Sequence, residues 1–440
     1  MKHATDVLVI GGGIAGLTVA RQLTCAGLNV ILLEARDRLG GRIFTHSTAD
    51  FPIELGAEFV HGRPEEIFGL AAEAGVPIVP VKGRYRRKAN GEWDDAGRLM
   101  EKVEKLFEKM PAGGPDQSFL QYLEHSNASD EVKEQALRYV EGFHAANPSR
   151  ISVHSLVRDT RAEEKIDGDR QFRITSGYAG LVRATYDRIE HKHCTIVLKT
   201  VVSEIRWRRG EVVVRTGNAE FHAARVVITL PLGVLKANCI LFAPALSEKE
   251  DAMKFLEMGP VVRVVMCFRE KFWEQEPEMN GLSFLFTDDP QFPTWWTSNP
   301  LPSPILTGWA AGRYALMLKG LGMEAITTKA AESLARILKI NLGQLQRQLL
   351  TSFVHDWQAD PFFRGAYSYA AAGGIDAARE LARPVEDTLY FAGEATNFEG
   401  YGGTVHGAIA TGHRAAREVL QSAGMETGAQ AKAARPAKSD

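Results

Sequence analysis

The chain has 440 residues, and 45% of them are hydrophobic. That length allows two domains, or one large elaborated domain, around a sizeable core. The net charge of -2 and the pI near 6.7 exclude the strong field that attracts nucleic acid or anionic lipid, so we expect a small-molecule partner.

No apolar run approaches the roughly 18 to 20 residues that span a bilayer, so we expect a soluble cytoplasmic protein with no membrane partner. The oligomeric state stays open. The four cysteines, Cys25, Cys194, Cys239 and Cys267, show no paired C-x-x-C spacing. We interpret them as reduced core residues and predict neither a metal site nor disulfides.

The first predicted unit is a β-α-β arrangement at the start of the chain. Residues 7–10 and 30–33 are short apolar runs, and residues 14–26 between them have helical periodicity. The second run ends on Glu34. This order is typical of the opening of a nucleotide-binding domain.

The middle of the chain alternates between helical and strand-like patterns. Residues 64–146 are helical and charged, with a break at 111–115, which predicts an inserted helical layer. Strand patterns follow at 195–198, 201–207, 212–215, 226–230, 261–268 and 305–310, and a helix pattern at 324–338. The chain then resembles its own beginning, with a strand at 388–392 and a helix at 405–420, and residues 425–440 are predicted to be a disordered tail.

One residue contradicts the apolar pattern at 261–268. Arg263 places a permanent cation within the run VVRVVMCF, and burial of an unpaired charge costs several kcal/mol or more. Either this strand has a wet face, or a nearby group requires a positive charge.

A glycine-rich loop joins the first predicted strand and helix. Gly11, Gly13 and Gly16 in GGGIAGL allow the backbone to approach a pyrophosphate at the positive N-terminus of the helix. Glu34 stands where a carboxylate binds a ribose hydroxyl, so we predict a dinucleotide site rather than a merely glycine-rich turn. NAD and FAD both fit that pattern, and the continuation EARDRLGGR, with a second glycine pair and further arginines, favours FAD.

Seven motifs in register resemble those of the flavin amine oxidases: DVLVIGGGIAGL, EARDRLGGR, IELGAEFVHG, VVITLPLGVLK, DPFFRGAYSY, LYFAGEAT and GGTVHGAIATG. That family comprises monoamine oxidases, polyamine oxidases and flavin-type histone lysine demethylases, and the match runs from about residue 6 to 420. The resemblance implies an α/β fold. A Rossmann-type FAD-binding domain (1–62, 170–240 and 385–424) would be interleaved with a mixed-sheet and helical substrate domain (63–169 and 241–384).

The resemblance also implies which residues contact FAD. Glycines and charged residues of the first two motifs would hold the ADP and pyrophosphate, while Gly56 and Ala57 would lie along the flavin. Val405 would offer its backbone N–H to the ring at the start of the last helix, where negative charge is stabilised. The full implied set is Gly11, Gly13, Ile14, Ala15, Gly16, Glu34, Ala35, Arg36, Gly40, Gly41, Arg42, Gly56, Ala57, Glu58, Val202, Trp357, Gly393, Glu394, Thr404 and Val405.

The chain departs from the covalent pattern of the monoamine oxidases. In those enzymes a cysteine bonded to the flavin precedes the tyrosine that corresponds to Tyr367, and here that residue is Ala366. We therefore predict that FAD is bound without a covalent link.

The implied reaction removes hydride equivalents from the carbon beside a neutral amine, and it needs a dry site more than a nucleophile. The resemblance implies site positions at Tyr367, Thr404, Trp357, His61 and Arg263. Tyr367 and Thr404 would face each other before the flavin. Threonine in place of a second tyrosine leaves this amine cage half open, which favours a bulkier or secondary amine.

Some of these positions have a structural alternative. Trp357 could be a core residue, His61 a histidine satisfied in a loop, and Arg263 an arginine on the wet edge of a strand. Arg263 takes the place of a family lysine that holds a water at flavin N5, and arginine is not an equivalent replacement. Whether O2 is the electron acceptor therefore stays open.

Three carboxylates could serve a second amino group of the substrate: Glu58, Glu163 and Glu164. The alternative is that they are solvated charges on a surface.

The predicted function is FAD-dependent oxidation of a secondary, bulky or polyamine-like amine to an imine, with O2 reduced to H2O2. The imine would hydrolyse to an aldehyde or ketone and an amine. One alternative is a dehydrogenase or desaturase on the same fold with another electron acceptor. The other is a flavin-binding interaction scaffold without turnover.

Overall fold

The computed structural model describes residues 2–48 and 51–425, so the predicted tail lies outside this range except for Met425. In chain order the strands are β1 (Lys2–Ile10), β2 (Val30–Leu33), β3 (Thr45–Ser47), β4 (Pro52–Glu54), β5 (Phe59–His61), β6 (Ile78–Pro80), β7 (Arg84–Ala89), β8 (Glu92–Asp95), β9 (Gln171–Ile174), β10 (Cys194–Val197), β11 (Val202–Arg208), β12 (Glu211–Thr216), β13 (Glu220–Ile228), β14 (Leu241–Ala243), β15 (Leu256–Gly259), β16 (Val261–Phe268), β17 (Leu282–Thr287), β18 (Thr294–Thr297), β19 (Ile305–Ala311), β20 (Leu349–Asp356), β21 (Tyr367–Ala370) and β22 (Leu389–Phe391).

The helices alternate with these strands, and several begin at side-chain caps. Ser118, Ser152, Asn341 and Thr404 each accept a hydrogen bond from a backbone N–H of the first turn. The α-helices are α1 (Ile14–Cys25), α2 (Glu65–Ala74), α3 (Gly97–Phe107), α4 (Phe119–Glu124), α5 (Asp130–Phe143), α6 (Val153–Glu164), α7 (Ala179–Tyr186), α8 (Leu232–Lys236), α9 (Ser247–Met253), α10 (Arg313–Met317), α11 (Met323–Leu338), α12 (Leu342–Gln348), α13 (Ala377–Ala382) and α14 (Val405–Ser422).

The first large sheet has the order β10-β2-β1-β13-β12-β11-β14, with β22 also paired to β13. Strands β10, β2, β1, β13 and β22 run parallel, and their apolar runs are buried because helices α1 and α14 pack on one face and a second apolar cluster covers the other. The carboxyl ends of β1 and β2 therefore meet at one edge, directly before the glycine loop and Glu34. This confirms the Rossmann-type opening.

The second large sheet has the order β20-β16-β19-β18-β17-β7-β8. Its pairs are antiparallel except for β7 with β17, and α11 contacts it through buried apolar side chains. Strand β16 lies inside the sheet between β19 and β20, and all of its residues are buried. A wet face for this strand is therefore wrong.

The prediction of helix throughout residues 64–146 is partly wrong. Helices α2, α3, α4 and α5 occupy most of the stretch, but β6, β7 and β8 interrupt it. Strand β7 has the sequence RYRRKA, in which no apolar alternation marks a strand. Its structure comes instead from pairing with β8 and β17.

The cysteine prediction is only partly correct. All four cysteines are free thiols, and Cys267 is buried in β16, but Cys25 and Cys239 are exposed. Cys25 is the last residue of α1, where the apolar stripe ends, so its apolar neighbours did not imply burial. Within residues 2–48 and 51–425, no helix combines the length and apolarity needed to cross a membrane.

Candidate active site

One cavity of about 1540 Å³ runs from the glycine loop to the substrate-side sheet. Its lining includes Gly11 at the end of β1, Arg263 in β16, Tyr367 in β21 and Val405 at the start of α14. The cavity therefore joins the predicted cofactor positions to the predicted amine site.

The glycine loop presents bare backbone to this cavity. Gly11 has a φ of +107°, and a Cβ there would lie 2.5 Å from Thr229 Oγ1. A Cβ on Gly16 would lie 2.0 Å from the Gly11 carbonyl oxygen, so glycine is needed for the loop to close onto α1. A Cβ on Gly13 would meet nothing nearer than 3.9 Å, which leaves an open cradle before the helix N-terminus.

Glu34 fixes the second half of the cradle. Its Oε2 accepts a 2.6 Å hydrogen bond from the Gly12 N–H, and its Oε1 accepts one of 2.8 Å from the Arg36 N–H. The carboxylate is mostly buried after β2, at the sheet edge where a ribose would bind. The Arg36 side chain is ion-paired with Asp360, which also contacts His355 Nε2 at 3.1 Å.

Glu394 is saturated by protein donors. Arg42 Nη1 donates to Oε1 at 2.7 Å, while Ser368 Oγ and the Gly403 N–H donate to Oε2 at 2.6 and 2.9 Å. Burial opposes ionisation, yet Arg42 and these donors hold the pKa of Glu394 below its ordinary value. The Glu394 side chain thus organises Arg42, Ser368 and Gly403 around the cavity.

The N-terminus of α14 opens on the same cavity. Thr404 caps the helix, since its Oγ1 accepts from the Gly407 N–H at 3.0 Å and donates to the Tyr401 carbonyl at 2.8 Å. The N–H of Val405, in the first turn, has no acceptor among the described residues. This is a site that stabilises negative charge on a bound group.

Tyr367 and Trp357 both line the cavity, but their polar atoms are already occupied. The Tyr367 hydroxyl donates to the Phe143 carbonyl at 2.7 Å, and Trp357 Nε1 donates to the Leu55 carbonyl at 3.1 Å. Each ring is therefore held in place as a wall. Ala366, beside Tyr367, offers no side-chain atom that could bond to a flavin.

Arg263 is buried and paired. Its Nη1 donates to the Gly56 carbonyl at 2.8 Å, and its Nη2 is ion-paired with Glu58. Burial lowers the pKa of the guanidinium, and Glu58 opposes that change. The wet-edge alternative is wrong, because protein groups rather than solvent compensate this charge in the interior of a sheet.

Glu58 holds a second arginine as well. Arg173 in β9 is ion-paired with its Oε1, and Trp296 Nε1 donates to its Oε2 at 3.0 Å. Burial raises the pKa of Glu58, but Arg173 and Arg263 outweigh this and hold it below its ordinary value. The expectation that Glu58 serves a second substrate amino group is therefore wrong, since two guanidiniums already occupy the carboxylate.

His61 ends β5 and faces the cavity beside Phe143. The two rings are 5.3 Å apart at 87°, and Phe143 stacks on Tyr139 at 5.3 Å. The His61 imidazole has no hydrogen-bond partner in the described part of the chain, and the residue lies in a strand, so it is not a histidine satisfied in a loop. Burial lowers the pKa of His61 to about 4, and that of nearby His144 to about 4, so both are neutral at pH 7.

Helix α6 contributes two carboxylates to the opposite side, Asp159 and Glu163. They are one helical turn apart, so they share a face. Asp159 is ion-paired with Arg158 at 2.9 Å, whereas among the described residues no cation pairs with Glu163. Burial and the Asp159 charge raise the pKa of Glu163 to about 7. Glu164 is exposed at the rim of the cavity.

Nine further implied contacts line the cavity: Ile14, Ala15, Ala35, Gly40, Gly41, Gly56, Ala57, Val202 and Gly393. Gly16 and Arg36 are not among its lining residues. The cavity as a whole fits FAD, because a bare backbone cradle, a ribose-side carboxylate and a free helix N-terminus follow one another along it. The sequence did not indicate Arg173, Trp296, Asp159 or Tyr139, since no local motif marks them. Arg173 is a buried arginine in a strand, like Arg263. Its strand is too short for the arginine to stand out against an apolar run, so the sequence did not mark it.

Comparisons with known proteins agree with this site. A family model described as flavin containing amine oxidoreductase matches residues 14–420. Polyamine oxidase 3 of Oryza sativa subsp. japonica is 30% identical over 453 residues, which cover 95% of this chain and 89% of that protein. Lysine-specific histone demethylase 1 homolog 1 of Arabidopsis thaliana is 30% identical over 460 residues, 95% of this chain but 52% of that protein.

Solved structures share the fold. A putrescine oxidase bound to putrescine has a TM-score of 0.81 and 21% identity, over 96% of this chain and 100% of that chain. This likeness supports the two-sheet architecture, while the family model and the relatives carry the assignment. The chain therefore belongs to the flavin containing amine oxidoreductase family, and it is an FAD-dependent amine oxidase.

Proposed function

We propose that this enzyme oxidises a secondary amine that carries a second, cationic group. The observation that carries the proposal is the continuous cavity that joins the FAD cradle to a chamber lined by Tyr367, His61 and Glu163. FAD, which the glycine loop, Glu34 and the N-terminus of α14 would hold, would supply the hydride acceptor for oxidation of the carbon beside the amine nitrogen. The resulting imine takes up water and breaks its carbon–nitrogen bond, which gives an aldehyde or ketone and a smaller amine.

The walls around Tyr367 suit a neutral amine. His61 and His144 are uncharged at pH 7, and the Tyr367 hydroxyl is tied to the Phe143 carbonyl. These side chains offer no charge that would stabilise an ammonium group. The site therefore favours the neutral amine, which has lost its proton before the carbon–hydrogen bond breaks. Tyr367 and Thr404 would hold the amine between them, with Thr404 leaving room for a substituent on nitrogen.

Glu163 is the carboxylate best suited to the second ammonium group. It faces the cavity without a cationic partner in the described part of the chain, whereas Glu58 is occupied by two arginines. A relative is named polyamine oxidase, and a solved neighbour is a putrescine oxidase bound to putrescine. Those names agree with a diamine or polyamine skeleton for the substrate.

O2 is the proposed electron acceptor, with one H2O2 formed for each two-electron oxidation. The rival is another acceptor, because Arg263 replaces the lysine expected at this position and its guanidinium is held by Glu58 and Gly56. A dehydrogenase would carry out the same amine oxidation and differ only in this second step.

The test is anaerobic mixing of the holoenzyme with polyamines, aromatic monoamines and amino acids, followed by admission of air. Bleaching of the flavin absorbance by a diamine or polyamine, and peroxide equal to the amine consumed, is the expected result. Bleaching without peroxide would favour the dehydrogenase. No bleaching by any amine would overturn the proposal and leave a binding protein without turnover.

A further inference from the structure

The substrate side of the cavity has an aromatic wall, which we define as Phe59, Tyr85, Phe284 and Trp296. Phe284 lies 5.2 Å from Phe59 and stacks on Tyr85 at 5.1 Å, and Phe59 lies 5.6 Å from Trp296. Four elements, β5, β7, β17 and β18, supply these rings. Neighbouring rings are inclined to one another by 22° to 68°, so together they form an apolar surface that can bind an apolar or aromatic group.

Two guanidiniums already lie over two of the four rings of this wall. The Arg173 guanidinium carbon lies 4.4 Å from the Phe59 ring centre, and that of Arg263 lies 5.4 Å from the Trp296 ring centre. Aromatic faces usually attract a ligand cation. Here that attraction is satisfied from within the protein.

The charge behind the aromatic wall has a positive excess. Arg173 and Arg263 bring two positive charges, and Glu58, between them, brings one negative charge. The neighbouring carboxyl group of Glu54 is only partly ionised at neutral pH, because burial raises its pKa to about 7. Its oxygens accept from the Tyr178 N–H and Thr45 Oγ1 instead. A cation brought to the wall would therefore meet like charge at low dielectric.

The opposite side of the chamber has a carboxyl group, Glu163, instead of an excess of positive charge. Glu163 lies near Tyr139, and Phe143, His61 and Phe59 continue from Tyr139 back to the aromatic wall with ring-to-ring distances of 5.3, 5.3 and 6.3 Å. Tyr367, held by the Phe143 carbonyl, lies between the two sides. An amine bound at Tyr367 would extend one arm toward each.

We propose that the aromatic wall accepts an uncharged apolar arm and rejects an ammonium group, so that the preferred substrate is a secondary amine with two unlike arms. One arm ends in an ammonium group at Glu163, and the other is apolar or aromatic and lies against Phe59 and Phe284. This inference rests on the proposed function, and it adds that symmetric diamines and doubly charged polyamine arms are poor substrates.

The test uses three amines that share the 4-aminobutyl arm: N-benzyl-1,4-diaminobutane, N-propyl-1,4-diaminobutane and spermidine. The propyl compound is spermidine without its terminal amino group, so the pair differs only in the charge at the wall. Limiting rates and dissociation constants come from anaerobic flavin reduction by the holoenzyme, and binding is checked by the shift of the flavin spectrum. The quantity compared is the limiting rate of flavin reduction divided by the dissociation constant. We expect this ratio to be at least about tenfold higher for the benzyl and propyl compounds than for spermidine, the low end of the discrimination that an apolar pocket provides.

A variant identifies the surface responsible. Phe284→Leu should reduce the advantage of the benzyl over the propyl compound, because it removes one of the rings that the benzyl group would contact. The matched control is Phe255→Leu, an exposed phenylalanine that lies away from the cavity lining, which should change none of the ratios.

The outcomes separate the two proposals. Spermidine equal to or better than the propyl compound would overturn the inference while the proposed function stands. Reduction by none of the three amines would overturn both. Unaltered selectivity in Phe284→Leu would show that the aromatic wall does not contact the substrate.

Discussion

The guanidinium of Arg263 is stable inside β16 because Glu58 and the Gly56 carbonyl replace its hydration. Its Nε is buried without an acceptor among the described residues, which marks the arrangement as one that is not optimised for stability alone. A fixed cation beside Gly56 and Ala57, where the flavin is expected, would stabilise the negative charge that arrives with the hydride.

We predict that Arg263→Met keeps FAD bound but slows flavin reduction or reoxidation by at least about tenfold. Stability should fall by no more than about 3 kcal/mol, since Arg173 and Trp296 still hold Glu58. Stopped-flow traces of both half-reactions provide the measurement, and Arg263→Lys should recover part of the rate. The control is Arg269→Met at an exposed position just beyond β16, which should match the parent. Parent-like traces for Arg263→Met would assign the residue a purely structural role.

Glu34 carries a prediction about cofactor affinity. Loss of its carboxylate should weaken FAD by about 1.5 to 3 kcal/mol, the scale of a hydrogen bond to a charged group. Titration of apoprotein with FAD, followed by fluorescence quenching, measures the change in Glu34→Ala. Glu73→Ala, which removes a half-exposed carboxylate paired with Arg21, is the control and should leave the affinity unchanged. Unchanged affinity in Glu34→Ala would mean that the ribose contact is elsewhere.

Residues within one short motif were predictable, and residues joined across the chain were not. Gly11 and Glu34 occupy fixed places in a β-α-β unit, so the sequence alone indicated their surroundings. Arg263 was recognisable as an anomaly, but its partner Glu58 lies 205 residues away. No period or spacing connects the two, because the contact forms only when β16 packs beside the segment that follows β4.

At the scale of elements, one residue at the N-terminus of α14 has an observed role and a predicted one. Thr404 was interpreted as an open wall of the amine cage, and it is also the cap of the helix. We predict that Thr404→Tyr shifts relative kcat/KM toward small flat amines, because an added ring narrows the slot, while loss of the cap lowers stability by about 1 kcal/mol.

Thr404→Val separates these effects, since it removes the cap without adding a ring. Its melting temperature should fall as in Thr404→Tyr, and its size preference should stay that of the parent. A series of amines of increasing width measures the preference, and equal relative kcat/KM in all three proteins would remove Thr404 from the substrate site.

We predict that substrate affinity depends on pH through two carboxyl groups of α6. The pKa of Glu163 is raised to about 7 and that of Asp159 to about 6, by burial in each case, so both groups are protonated in acid and charged above these values. The affinity for an amine with a second ammonium should therefore rise between about pH 6 and pH 8, relative to N-methylbenzylamine, which has one nitrogen. Glu163→Gln should flatten this ratio. A ratio independent of pH in the parent enzyme would contradict the role of α6.

One error in the predicted elements is β7, a strand with a weak sequence signal. Strand β7 pairs in parallel with β17, which lies almost 200 residues later in the chain. The charged side chains of β7 led to the prediction of a helix. By contrast β2, β16 and α11 were predicted closely, since burial on both faces or one regular apolar stripe defines each of them.

At the scale of the whole molecule, we predict that the chain holds FAD in its cavity without a covalent bond. Ala366 offers no nucleophile beside Tyr367. Precipitation of the holoenzyme with acid should therefore leave yellow flavin in the supernatant, with an absorbance equivalent to the FAD initially bound. Treatment of the pellet with protease releases any covalently attached flavin peptide, and recovery of flavin only in that fraction would contradict the prediction.

The first large sheet takes its strands from residues 2–33, 194–243 and 389–391, and the cavity it supports is completed by α14, which starts at Val405. During synthesis, the glycine loop leaves the ribosome first. The N-terminus of α14, which lines the part of the cavity where the flavin ring is expected, follows only when almost the whole chain has been made. We therefore expect FAD to bind only when synthesis of the chain is nearly complete, since the cavity lacks the N-terminus of α14 before then.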